Sequence, residues 1–284
     1  MQSRNLYVGL MYILFSCSCG AQDIKNSYLE YSIPDYAVKK GPLPARGGQT
    51  SVIQYKDPKS GNVIAREFFD NKTGKKIELV LLKDGEKHGI QKEWYKNGSL
   101  KSESPYLNGI MSGVFKYWDD KGNLVGRYEI IEGNGIKKIY FPNGNLKEES
   151  HFKNNMLNGV NIVFYDNAKI QSLNWQKDNH PINSSFAFHE NGQLYCYGEY
   201  DEDGRLNGPI LYFDNNSLPI KNTFLYYIHG KKVSQEQYIA ASENDPALPK
   251  LKDRIENYNK YLDEQAKNII EKYIKMKPVD IPLK

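Results

Sequence analysis

Apolar and polar positions along this chain follow a period of about two dozen residues. The phrase is plainest in Gly89-Ile-Gln-Lys-Glu-Trp-Tyr-Lys-Asn-Gly-Ser-Leu100 and recurs, with substitutions, to about His229. With the turn glycine as origin, Gly74, Gly98, Gly122, Gly144, Ala168, Gly192 and Asn216 fall at intervals of 24, 24, 22, 24, 24 and 24. Four places before the origin, the last six units carry an aromatic: Trp94, Trp118, Tyr140, Phe164, Phe188 and Tyr212. Two places after it stand Leu100, Leu124, Leu146, Ile170, Leu194 and Leu218, and eight places after it Tyr106, Ile130, Phe152, Gln176 (beside Trp175), Tyr200 and Phe224. Self-similarity at a fixed period marks a repeat architecture before any local propensity is weighed.

Each unit reads as a hairpin. Asn97-Gly98, Asn143-Gly144 and Asn191-Gly192 suit a type I′ turn, which needs positive φ at both central residues. After the turn, alternation places Leu100, Ser102, Ser104 and Tyr106 on one face and Lys101 and Glu103 on the other. A second punctuation, at Asn108-Gly109, Gly133, Asn154-Asn155, Asp203-Gly204 and His229-Gly230, closes one hairpin and opens the next. The expected fold is mainly β: an elongated single-layer antiparallel meander of about seven 22–24-residue hairpins, followed by a C-terminal α-helical segment. The aromatic column is expected to be its inner spine, so Trp118→Ala should cost about 3–5 kcal/mol. The rival reading makes the column an exposed platform for sugar rings or an extended peptide.

The glycine opening, the aromatics before an Asn-Gly turn, the leucine after it and the closing Tyr-x-Asn-Gly resemble the bacterial variant of the MORN repeat over roughly residues 60–230. Ala168 and Asn216 in place of the turn glycine, and Asn183 in place of a leading glycine, depart from that pattern. The resemblance implies a β-hairpin scaffold with no shared catalytic residues, and bacterial members are often labelled antitoxin-like.

The flanks divide the chain further. Residues 1–16 hold one cation, Arg4, then an apolar run from Leu6 to Phe15, which reads as an export signal too short to span a membrane. Leu14-Phe15-Ser16-Cys17 resembles a bacterial lipobox, making Cys17 the expected lipidated N-terminus and the cell envelope the expected location; the alternative is cleavage after Ala21 and release without an anchor. Residues 17–50, with Pro34, Pro42, Pro44 and several glycines, read as a tether. Residues 51–84 supply three strands, Val52–Tyr55, Val63–Phe69 and Lys76–Leu82, and a first atypical repeat, followed by the array over 85–230. In 231–284, Ser234-Gln235-Glu236-Gln237 fits a capping box. From Lys250 the residues Leu251, Ile255, Tyr258, Leu262, Ala266, Ile269 and Tyr273 form one helical stripe, read as a cap on the last hairpins.

Charge and chemistry narrow the function. The array carries 15 Lys plus Arg against 17 Asp plus Glu between residues 85 and 230, which excludes the basic stripe of a nucleic-acid binder and weighs against a phosphoinositide role. His88, His151, His180, His189 and His229 show no metal-ligand spacing, and the chain lacks a Gly-x-Ser-x-Gly elbow, a phosphate loop and a Cys-x-x-Cys pair. Cys196 reads as a small buried residue of the inner face. No catalytic residue, metal or cofactor is therefore expected. The expected activity is a non-catalytic envelope scaffold that binds a protein partner and meets the membrane through its lipid; the alternatives are an immunity protein against a toxin acting outside the cytoplasm and a glycan-binding envelope protein.

Overall fold

The computed structural model describes residues 30–252 and 264–283. Within them the chain forms one open antiparallel sheet of 19 strands, running as a meander from Val38–Ala45 to Lys231–Val233. The three strands before the array span Thr50–Lys56, Val63–Asp70 and Lys76–Lys83. The expected export signal and the expected lipidation site, Cys17, lie outside the described residues.

The two most regular sequence positions turn out to be cross-strand partners. Trp94 pairs with Leu100, Trp118 with Leu124, Tyr140 with Leu146, Phe164 with Ile170 and Phe188 with Leu194. Beside each pair the register slips: Glu93 already pairs with Ser102, leaving Lys101 as an extra residue. Such a bulge switches the face of everything beyond it. Leu100 therefore shares a face with Trp94, while Ser102, Ser104 and Tyr106 point the other way, and the expected common face for these four residues is corrected.

The turn assignment is also corrected. At Asn97-Gly98 only the glycine has positive φ, and the bonds Tyr95 N–H to Ser99 O and Gly98 N–H to Tyr95 O define a three-residue loop. Asn143-Gly144 and Asn191-Gly192 repeat it. The pairs of adjacent positive φ that mark type I′ turns occur at the opposite sheet edge, at Asp84-Gly85, Asn108-Gly109, Glu132-Gly133, Asn154-Asn155, Asp178-Asn179 and His229-Gly230.

The seventh unit runs one residue late. Asp214 N–H bonds to Leu218 O and Ser217 N–H to Asp214 O, so Ser217 rather than Asn216 occupies the turn position, with φ of 59°. Phe213, fully buried and bridged to Pro219, takes the place expected for Tyr212 and Leu218. Tyr212 instead pairs with Cys196 on the opposite face.

The core is asymmetric along the sheet. On the aromatic face, Leu146, Ile162, Phe164, Leu173, Trp175, Phe186, Phe188, Tyr197 and Phe213 form one cluster with Tyr238, Leu248, Leu251, Ala266 and Tyr273 from the C-terminal region. Helix α1 (Gln235–Asn244) starts at Ser234, whose side chain accepts from Gln237 N–H while the Gln237 side chain returns the bond. Helix α2 (Glu264–Ile274) carries Ala266, Ile269, Ile270 and Tyr273 onto the sheet. Ile255, Tyr258 and Leu262 of the expected stripe lie outside the described residues.

Part of the expected tether is sheet. Val38–Ala45 pairs with Thr50–Lys56, from Val38 opposite Lys56 to Ala45 opposite Thr50. Prolines hid this strand from a sequence reading; Pro42 and Pro44 are tolerated because an edge strand pairs on one side only. Tyr31, earlier in the same segment, donates its hydroxyl to Leu82 O at 2.7 Å and sets its ring edge-on to His88.

Candidate interaction surface

The bulge after every turn brings the aromatic and the aliphatic of each unit side by side, and the meander stacks these pairs into a row along one edge of one face. Cover differs along the row. Phe164 is 3% exposed and Phe188 7%, with Tyr140 packed against the same cluster, because α2 and the residues after it lie over them. Trp94, Trp118 and their partners Leu100 and Leu124 are only half-buried. Of the six aromatics expected as an inner spine, Phe164 and Phe188 are buried, Tyr140 packs against the cluster, Trp94 and Trp118 are half-buried, and Tyr212 is half-buried on the opposite face.

Next to the half-buried row, the middle of the face carries charge. Lys92 and Lys116 flank Glu103 from neighbouring strands, Nζ to carboxylate at 3.0 and 3.6 Å, and Lys138 approaches Glu149 at 3.2 Å. The two lysine pairs with Glu103 are exposed on the lysine side and contribute little stability, whereas Glu149 is buried and its ionised form is held by several partners. Toward the C-terminus, a groove of about 460 Å³ runs between α2 and the turns at Ala168 and Gly192, lined by Ile170, Phe188, Ile270 and Ile274. It is the flank of the helix seat.

The turns are tied to one another by a device that the sequence reading missed. The residue before the turn position donates its side-chain amide to a carbonyl of the next turn: Asn97 to Asp120 O, Asn143 to Asp166 O, Asn167 to Glu190 O and Asn191 to Asn215 O, at 2.8–3.0 Å. Its carbonyl oxygen meanwhile accepts from the N–H two residues on, as Asn97 does from Ser99. Its sequence signal is asparagine at one fixed position, which turn φ preference alone would also explain. Lys121 stands where the ladder needs asparagine, and among the described residues no side-chain hydrogen bond joins its turn to that of Gly144.

The histidines are dispersed, and four of them, His88, His151, His189 and His229, are engaged. Asn108 N–H donates to His88 Nδ1, His189 Nε2–H donates to Phe213 O at 3.0 Å, His229 faces Asp201 at 3.3 Å and His151 faces Glu149 at 2.9 Å. Among the described residues no group of three or more His, Cys, Asp or Glu is placed to hold a metal. Cys196 lies half-buried on the face opposite the core, contrary to the expected inner face, and burial pushes its thiol up to about 11.

Two hairpins, residues 87–108 and 134–154, match the family model described as MORN repeat variant. Each match spans one hairpin between type I′ turns. No curated protein matches the chain. The matched units suggest a non-catalytic repeat scaffold of a kind that often binds proteins or membranes.

Proposed function

We propose that this chain is a non-catalytic scaffold, exported to the bacterial envelope and held there by lipid on Cys17, whose sheet binds a protein partner. The observation that carries this reading is the uneven cover of one face. The same row of rings that forms a core beneath α2 continues, only half-buried, through Trp118 and Trp94. Half-exposed tryptophans beside a strip of paired charges have the composition of an interface centre with a polar rim. Among the described residues no helix is long and apolar enough to cross a membrane, so attachment in this reading falls to the N-terminal lipid.

Photo-crosslinking from intact cells, with the probe at Lys116, tests the surface. A single partner band lost in the Trp94→Ala/Trp118→Ala variant is expected. A band that survives those substitutions would remove the surface from the proposal. Detergent-phase partition tests the anchor: the Cys17→Ser chain should leave the detergent phase, and equal partition with wild type would exclude lipidation.

A further inference from the structure

The last described residues do not leave the sheet. After α2, the Met276 side chain packs against the core cluster, Val279 N–H bonds to Gly144 O at 2.8 Å, and Leu283 N–H bonds to Leu124 O at 3.0 Å. The tail thus runs back along the aromatic–aliphatic row, from the Leu146 unit to the Leu124 unit. Val279, Ile281 and Leu283 are half-buried while Pro278, Asp280 and Pro282 are exposed, so one side of the segment is seated although the chain bends at Ile281-Pro282.

Gly144 shows the closeness of the fit. A Cβ at Gly74 or Gly122 would meet nothing within 4 Å, and one at Gly98 or Gly192 would meet only lysine side-chain atoms. At Gly144 it would collide with the backbone of Val279. Both residues that donate to the sheet follow a proline, Pro278-Val279 and Pro282-Leu283, and they stand four residues apart. Proline fixes φ beforehand, so the bound form costs less ordering entropy, and each step delivers one N–H to one repeat. The next aromatic–aliphatic pair along the row, Trp94 with Leu100, has no tail residue hydrogen-bonded to it among the described residues.

We propose that this row is a groove for a proline-punctuated peptide of the form Pro-aliphatic-x-x-Pro-aliphatic, and that the chain's own tail is its occupant in cis. A partner segment with the same steps would displace the tail or continue beyond it toward Trp94. The groove deepens the scaffold reading above and rests on it for the existence of an external partner. It is tested without any cellular partner, so a failed crosslink and a failed titration are separate results.

The probe is a labelled synthetic peptide with the sequence of residues 275–284, titrated by fluorescence anisotropy against full-length chains. The tail-undocked variant Val279→Asp/Leu283→Asp should bind it at least about tenfold more tightly than wild type, whose own tail competes at high effective concentration. Adding Trp118→Ala and Leu124→Ala to that variant should weaken binding by about tenfold or more. A peptide with the two prolines moved away from the aliphatics should not bind. On the unmodified chain, excess peptide should speed hydrogen exchange at the Val279 and Leu283 amides. Equal affinity of the undocked variant and wild type, or equal binding of the shuffled peptide, would overturn the proposal, as would unchanged exchange at the two amides.

Discussion

His151 Nε2 lies 2.9 Å from the Glu149 carboxylate, and Glu149 is only 2% exposed at the centre of the aromatic face. Burial opposes its charge. His151, the hydroxyl of Tyr273 from α2 and Lys138 outweigh that and hold the carboxyl at about 2, against an ordinary 4.5. A depressed carboxylate stabilises the fold above its unfolded value and ceases to do so as pH falls from about 4.5 toward about 2. The difference corresponds to something on the order of 3 kcal/mol. Urea unfolding of wild type and Glu149→Gln at stepped pH should show a gap that is full near neutrality and closes across that window. A gap independent of pH would mean that Glu149 is not held ionised.

Unequal cover predicts unequal mutational cost. Phe164→Ala removes a ring buried beneath Tyr273, whose centroid is 5.3 Å away, and should cost about 3–5 kcal/mol. Trp118→Ala, half-buried, should cost about 1–2 kcal/mol. Chemical denaturation of the two variants checks the ranking, and equal costs would show that the face is covered over its full length.

The asparagine ladder has its own test. Asn143→Ala removes the donor to Asp166 O and the acceptor for Asn145 N–H, both exposed, and should lower stability by about 1 kcal/mol. Asn143→Asp keeps the acceptor and loses the donor. If the bond to the next turn matters, denaturation should place the aspartate variant with alanine rather than with wild type.

Ala168 holds φ of 66° at a turn position that is glycine in four of the other units of the array. A Cβ in the left-handed region costs roughly 1 kcal/mol. Ala168→Gly should therefore raise the thermal midpoint, by an amount equivalent to about 0.5–1 kcal/mol after the entropy of the added glycine. A lower midpoint would mean that the Ala168 methyl is needed in the groove beside α2.

Hairpin period and the start of α1 were legible because each is written in residues that have few alternatives. Asn-Gly and Asp-Gly steps bound the hairpins, and Ser234 with Gln237 fixes the start of α1. The bulge was not legible, since an extra residue at Lys101 changes the face of its neighbours without changing their spacing. Turn type was misassigned for a related reason: Asn97 suits positive φ, yet its amide is committed to Asp120 of the neighbouring turn. The slip at Ser217 was hidden because Tyr212 and Phe213 are adjacent aromatics, and only pairing decides which faces the core. On the surface, the row of rings was visible in the sequence, but its partial cover depends on where α2 ends and the tail begins.

The missing rung at Lys121 lies between the turns of Gly122 and Gly144, and the tail is bonded to the sheet on both sides of that junction, at Leu124 and at Gly144. The segment from Val279 to Leu283 therefore bridges a turn-to-turn step that has strand pairing but no asparagine rung. A ligand that lifts this segment would leave that step held by strand pairing and by the Asn155 bonds to Met111 and Gly109 at the opposite edge.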